Sequence, residues 1–286
     1  MKLPPFEYAC PTSISEAVAL LAAHGGEAKP LAGGQSLMPM LAFRVAAPAL
    51  LVDLRKLAEL RQIKIDDNGV TLGAMARWRD ILEDKKLASA HPLLVAAVAY
   101  VAHYQIRNRG TVGGSLAHAD PAAELPGIAV TCEAKIAAVG KAGARVIDAA
   151  DFFRGPLMTA LKSDEIITAI SLPAWPTLRR FGFAEFARRR GDFALAAAML
   201  FYDEDGNKAH NVHVGAIGVA DRPLRLTAVE RVLNGNMIDE TTIAKTAAAA
   251  SACIDPSDDI HCTGAYRKAL IGVMVERALR GASAPH

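Results

Sequence analysis

The sequence predicts an α+β protein: a first domain of two α/β subdomains, a small βα unit plus a larger mixed or antiparallel sheet, then a C-terminal three-stranded antiparallel sheet with a helical bundle. Three observations carry this expectation. The chain has 286 residues, about twice a typical domain, so two packed units are expected. Near residue 56 the hydrophobic pattern changes from strand-helix alternation to antiparallel hairpins. The two prolines of Pro173-Ala-Trp-Pro176 interrupt any regular element and mark a linker. The expected domains are 1–175, with subdomains of about 1–55 and 56–175, and 176–286.

Each element has a local reason. Ser13 and Glu16 form a capping box, Ala17, Leu20, Leu21 and His24 follow at helical spacing, and Gly25-Gly26 closes that helix. A strand over 29–32 runs through Gly33-Gly34-Gln35-Ser36 into a helix over 37–43, and a buried strand follows over 50–54. Ile63-Lys-Ile65 and Val70-Thr-Leu72 alternate on either side of Asp66-Asp-Asn-Gly69, which predicts a hairpin. Helices are expected over 76–84 and 92–102, and strands over 135–139, 145–148 and 165–172. Beyond the linker, strands over 181–189, 194–202 and 209–217 precede helices over 224–233, 238–252 and 264–279.

Composition removes several function classes. Hydrophobic residues make up 52% and charged residues 22%, as in compact folded proteins. With 32 basic and 30 acidic residues the net charge is +2, which provides no field for nucleic acid. No apolar run reaches transmembrane length, and the N-terminus lacks a secretory signal, so a cytoplasmic location is expected, with peripheral association at the inner membrane face left open. Cys10, Cys132, Cys253 and Cys262 form no Cys-x-x-Cys pair, so no metal or iron–sulfur site is expected on this chain.

The chemistry concentrates in two glycine turns. Ala32-Gly33-Gly34-Gln35-Ser36 and Thr111-Val112-Gly113-Gly114-Ser115 each join a strand or loop to a helix and each end in a hydroxyl. Successive backbone amides without intervening side chains suit a phosphate, and two such turns suit a pyrophosphate gripped from both sides. A glycine pair also makes a plain turn. Neither a P-loop nor a Gly-x-Gly-x-x-Gly fingerprint is present. After the second turn, His118 and Asp120 read either as an acid–base or metal pair or, for Asp120, as a helix N-cap before Pro121. Glu124 falls in the first turn of that helix, close to the glycine loop. Arg188-Arg-Arg190-Gly-Asp-Phe-Ala194 reads as a solvated turn or an anion patch, and Arg107 and Arg109 as candidate anion contacts.

The two glycine loops, the Leu-Ala-His-Ala-Asp-Pro-Ala-Ala-Glu run after the second, and Arg188 to Ala194 together resemble the FAD-binding medium subunit of molybdenum hydroxylases, the carbon monoxide dehydrogenase and xanthine dehydrogenase family. The resemblance covers essentially the whole chain, and residues 106–124 look especially like subunits of enzymes that hydroxylate N-heterocycles. It implies FAD whose pyrophosphate lies between Ala32, Gly33, Gly34, Gln35, Ser36 and Thr111, Val112, Gly113, Gly114, Ser115. It implies Glu124 near the ribose and Ile167 bordering the adenine or flavin, with no catalytic residue on this chain.

The resemblance further implies a small partner subunit with two [2Fe-2S] clusters, a large partner with a molybdenum–pterin cofactor, and a dimer of heterotrimers. This chain would pass electrons to an external acceptor. Some relatives carry a lysine where this sequence reads Phe183-Ala184-Glu185, which puts lysine-assisted tuning of the flavin in doubt. Two alternatives are a stand-alone FAD-dependent oxidoreductase and a non-catalytic scaffold subunit. The former would depend on His118 and Asp120, and intact glycines at 33, 34, 113 and 114 argue against the latter.

Overall fold

The computed structural model describes residues 2–283. Its first unit is a parallel sheet of β1 (Glu7–Ala9), β2 (Ala28–Leu31) and β3 (Leu50–Asp53) in the order β1-β3-β2, with α1 (Ile14–Ala23) and α2 (Leu37–Ala42) as the connections. Ser13 Oγ caps α1 by accepting from the Glu16 amide at 3.2 Å, while the Glu16 carboxylate reaches back to the Thr12 amide at 2.8 Å. Gly25 and Gly26, at φ +53° and +100°, close α1 in the left-handed region that glycine tolerates.

The second unit begins with the hairpin of β4 (Ile63–Asp66) and β5 (Gly69–Gly73). A helical segment follows: α3 (Trp78–Glu83), α4 (Lys85–Ala90), α5 (Pro92–Val98), α6 (Tyr104–Arg107), α7 (Val112–His118) and α8 (Glu124–Thr131). The chain then returns through β6 (Lys135–Gly140), β7 (Gly143–Asp148), the short α9 (Ala149–Phe152), the two-stranded ribbon β8 (Phe153–Gly155) and β9 (Met158–Thr159), and β10 (Ile166–Pro173). The main sheet is fully antiparallel, in the order β4-β5-β10-β6-β7.

Beyond Pro173 no regular element forms until β11 (Arg180–Phe186), which pairs with β12 (Ala196–Asp205), then β13 (Lys208–Ile217) and β14 (Leu224–Arg225). Helices α10 (Thr227–Leu233), α11 (Glu240–Ala252) and α12 (Gly264–Ser283) complete the chain. This sheet has four strands where three are expected from the sequence. Leu224 and Arg225 pair with Ala216 and Gly215 instead of starting the helix, and the Arg225 guanidinium is held by Glu230 at 2.6 Å and Glu133 at 2.9 Å.

The C-terminal sheet is covered on both faces. Met199, Phe201 and Ile217 join one core with Leu116, Leu125 and Ile128 of α7 and α8, whereas Ala198, Leu200, Val214 and Ala216 pack on Val229, Ile243, Ile271 and Val275 of the three C-terminal helices. That double burial explains the unbroken apolar run over 194–202. Close approach of α8 to the sheet depends on Gly127, where an added Cβ would lie 2.6 Å from Ile217 Cγ2 and 2.7 Å from the Met199 sulfur.

Candidate functional site

The two glycine turns, nearly eighty residues apart in sequence, meet at one cavity of about 620 Å³, within the usual range for small-molecule and cofactor sites. Ala32, Gly33, Gly34, Gln35 and Ser36 line one side, and Thr111, Gly113, Gly114 and Ser115 the other. The turns touch through backbone: a Cβ on Gly33 would collide with the Arg109 carbonyl and lie 3.0 Å from Gly110 Cα. Glycine is therefore required at position 33 by the neighbouring loop, whatever lies in the cavity. Glu124 and Ile167 also line it, Ile167 at the point where the β10–β6 register shifts. Val112 does not: its side chain is fully buried in the core beneath α7.

The amides of the two turns differ in what they offer. In the second, the Val112 and Gly113 amides donate to the Ala76 and Ala74 carbonyls at 3.0 and 2.7 Å, and the Gly114 amide donates to Thr111 Oγ1, the N-cap of α7, at 3.1 Å. These three donors are already committed, contrary to the expectation that both turns present open amides. In the first turn, no acceptor among the described residues takes the amides of Gly33, Gly34, Gln35 or Ser36. Gly34, at φ +71°, bends the chain so that α2 can start at Leu37. A phosphate-sized anion fits this first turn on donors, and the second turn on close approach and the Ser115 hydroxyl.

Sequence profiles decide the family. One described as "FAD binding domain in molybdopterin dehydrogenase" matches residues 4–175, and one described as "CO dehydrogenase flavoprotein C-terminal domain" matches 181–282. The chain belongs to the FAD-binding medium subunits of the molybdenum hydroxylases. It is 37% identical to the 6-hydroxypseudooxynicotine dehydrogenase complex subunit alpha of Paenarthrobacter nicotinovorans over 98% of this chain and 95% of that one. A structure of carbon monoxide dehydrogenase from Hydrogenophaga pseudoflava, lacking the Mo-pyranopterin moiety, superposes with a TM-score of 0.96 at 36% identity, covering 99% of this chain and 98% of the other. Quinoline 2-oxidoreductase from Pseudomonas putida 86 matches with a TM-score of 0.94, also at 36% identity and with 99% and 98% coverage. The medium subunit is thus a flavoprotein subunit of an oxidoreductase, with FAD as its cofactor.

The cavity of this medium subunit also holds charged groups that sequence reading did not single out. Lys29 and Lys162 are exposed and line it, adding two positive charges to its wall. Lys29 abuts the first glycine turn; Lys162 has no sequence signal and arrives through the segment before β10. That segment is fixed by Arg145, whose guanidinium makes two bonds to Glu165, at 2.7 and 2.8 Å, and a third to the Ala160 carbonyl at 2.7 Å. Arginine binding holds the Glu165 carboxyl below the usual range.

Other sequence candidates take different roles in the medium subunit. Arg107 donates to the Val101 and Ala102 carbonyls at 2.9 and 2.7 Å, pinning part of the cavity wall rather than facing an anion. Asp120 caps a turn through the Ala122 amide at 2.8 Å, and α8 starts only at Glu124, so Asp120 is not the helix N-cap. Arg188, Arg189 and Arg190 are exposed, as expected for a solvated turn, while Asp192 and Phe193 beside them reach the cavity mouth. Among the described residues, no group of three or more His, Cys, Asp or Glu side chains is placed to hold a metal ion.

Proposed function

We propose that this medium subunit carries electrons from [2Fe-2S] clusters on a small partner subunit to an external acceptor, while a large subunit with a molybdenum–pterin cofactor hydroxylates the organic substrate. The observation that carries this reading is the convergence of both glycine turns on one cavity with open amides at Gly33 to Ser36. FAD, when bound, supplies the electron-carrying chemistry; the protein supplies its position and surroundings. Gly33, Gly34, Gln35 and Ser36 hold the pyrophosphate by backbone amides, and Lys29 and Lys162 balance its charge. Ser115 adds a hydroxyl, Glu124 serves a ribose hydroxyl, and Ile167 packs against a ring. Thr111, Val112, Gly113 and Gly114 act mainly by shaping α7 against the first turn.

The two matched regions and the strandless stretch 174–179 support a division into a FAD-binding domain, 1–175, and a C-terminal domain, 176–286. A dimer of heterotrimers in the cytoplasm is the assembly we infer. No helix among the described residues is long and apolar enough to cross a membrane. Purification through a tag on this chain, with flavin identified by chromatography after denaturation and partners by mass spectrometry, tests the proposal. Stoichiometric FAD with two copurifying subunits, and bleaching of the flavin absorbance when the organic substrate is added, are expected. Flavin that stays oxidised in an intact three-subunit complex would refute the electron-carrying role.

A further inference from the structure

Beyond β5 the chain runs antiparallel to the segment that leads into α7. The Gly113 and Val112 amides donate to the Ala74 and Ala76 carbonyls, Arg77 bridges Thr111, and the Trp78 amide donates to the Gly110 carbonyl at 3.3 Å. That register sets Trp78, the first residue of α3, opposite Gly110. The indole is only 3% exposed and belongs to the core that includes Leu93, Leu116 and Leu125, yet it also lines the cofactor cavity. Its one polar atom is Nε1, and a tryptophan N–H ordinarily finds an acceptor when buried.

No acceptor among the described residues takes the Trp78 Nε1 proton. The Nε1–Cδ1 edge faces Gly110, where an added Cβ would lie 2.7 Å from Nε1 and 2.9 Å from Cδ1. The Ile106 carbonyl lies on the same side of Gly110, 3.1 Å from that Cβ position, but it already accepts from the Arg109 and Gly110 amides at 3.0 and 2.7 Å. Among the described residues the fully sealed side-chain polar atoms without a partner are Arg79 Nε and Glu185 Oε2. Trp78 Nε1 is not one of them, so it keeps accessible surface, and the space that this buried residue lines is the cavity. Gly110 lines the cavity as well, and its Cα is 3.0 Å from the Cβ position of Gly33. The uncommitted donor therefore stands beside the place where the two glycine turns touch.

We propose that Trp78 is a cofactor-binding residue that donates its indole N–H to an oxygen of FAD across the bare face of Gly110. The proposal rests on the assignment of the cavity to FAD. Val101 and Ile106 line the same wall, so the N–H is a single polar group in apolar surroundings, the arrangement by which cofactor pockets fix orientation. Like the open amides of Gly33 to Ser36, it is a neutral donor held in place by the fold. Gly110 serves it by lacking a side chain, because any Cβ there would cover the edge that carries the proton. FAD bears acceptor oxygens in its pyrophosphate and in its flavin half, and a neutral N–H suits either.

The chain has two tryptophans, and the second is an internal control. Trp175 lies outside the cavity lining, against the rings of His91 at 4.7 Å and Phe201 at 5.4 Å. The test uses the full chain, stripped of flavin, with isotope-labelled tryptophan and the indole N–H signals followed by NMR. Trp78→Phe identifies its signal by loss, and Trp175→Phe makes the same assignment if the first variant does not fold. Saturation with FAD is expected to move the Trp78 signal downfield and slow its exchange with water, while the Trp175 signal stays in place. A folded Trp78→Phe should bind FAD about tenfold more weakly, the size of one hydrogen bond, with urea unfolding of the flavin-free variant recording the packing loss separately. ADP and riboflavin, titrated one at a time, place the acceptor: a shift with ADP assigns it to the pyrophosphate half and a shift with riboflavin to the flavin half. A Trp78 signal that neither moves nor gains protection in a chain carrying stoichiometric FAD would overturn the donor role, the N–H then being served by water, and would leave the cavity assignment standing. Failure of the folded chain to bind FAD at all would overturn both.

Discussion

Replacing Gly33 by alanine tests how the two glycine turns cooperate. The new Cβ would stand 2.9 Å from the Arg109 carbonyl carbon and 3.0 Å from Gly110 Cα, and closer still to the Arg109 oxygen. All three are backbone atoms, so no rotamer change relieves the contact and the two turns must part. Overpacking of this kind costs about 1–3 kcal/mol. If opening the cradle is the way the strain is relieved, the same energy weakens FAD binding by about 5- to 140-fold, at a factor of ten per ~1.4 kcal/mol. The measurements are FAD titration by fluorescence quenching and urea unfolding of the flavin-free chain. Gly281→Ala is the control: it lies in α12 with open space at its Cβ, and helix propensity favours alanine there by up to about 1 kcal/mol. A Gly33→Ala protein with wild-type affinity and unfolding midpoint would show that the turns are not in the contact described.

Three further outcomes are expected. Thr111→Val removes the hydroxyl that accepts from the Gly114 amide, costing about 1 kcal/mol, or roughly 2–4 °C in Tm for a chain of this size, whereas Thr111→Ser should lose little; equal melting of the two variants would contradict the capping role. His91 caps α5 by accepting from the Leu94 amide through Nδ1 at 3.2 Å, and burial pushes its pKa down to about 4 from an ordinary value of 6.5. A lowered pKa means that the folded state resists protonation, so this contribution is fully present above pH 6.5 and is lost as the pH falls toward 4. It amounts to on the order of 3 kcal/mol, and acid unfolding of His91→Asn, which keeps a capping acceptor without titrating, should show a shallower loss over that window. Arg145→Met leaves the buried Glu165 carboxylate without its two arginine bonds; because Arg145 is itself 38% exposed, a loss of about 1–3 kcal/mol is expected, with weaker FAD binding as the Lys162 segment loosens, and unchanged urea unfolding would refute it.

Local chemistry along the chain set most of the elements. The Ser13 cap, the Asp66 to Gly69 turn and the proline-bounded stretch after Pro173 each determine structure through neighbours a few residues away and form where the sequence places them, whereas the strand expected over 194–202 runs from Ala196 to Asp205. Boundaries shifted where tertiary pairing competes with local preference. Leu224 and Arg225 have an apolar periodicity that continues into a helix, but the open edge of β13 takes their backbone first. Pro121 suits the first turn of a helix, yet Asp120 closes a separate turn before α8 begins.

By itself the sequence determined that two glycine turns of one kind occur in a fixed order, each ending in a hydroxyl, within an α+β chain of the medium-subunit family. Tertiary structure decided how those turns divide the work. Whether an amide is free depends on which acceptor lies opposite it: Ala74 and Ala76, just after β5, accept from the second turn, while no acceptor among the described residues takes the amides of the first. Lys29 and Lys162 illustrate the same limit: far apart in sequence and ordinary in composition, they line one cavity only in the packed chain. Burial and long-range proximity are properties of the packed chain, and these set the charge and donor capacity of the site.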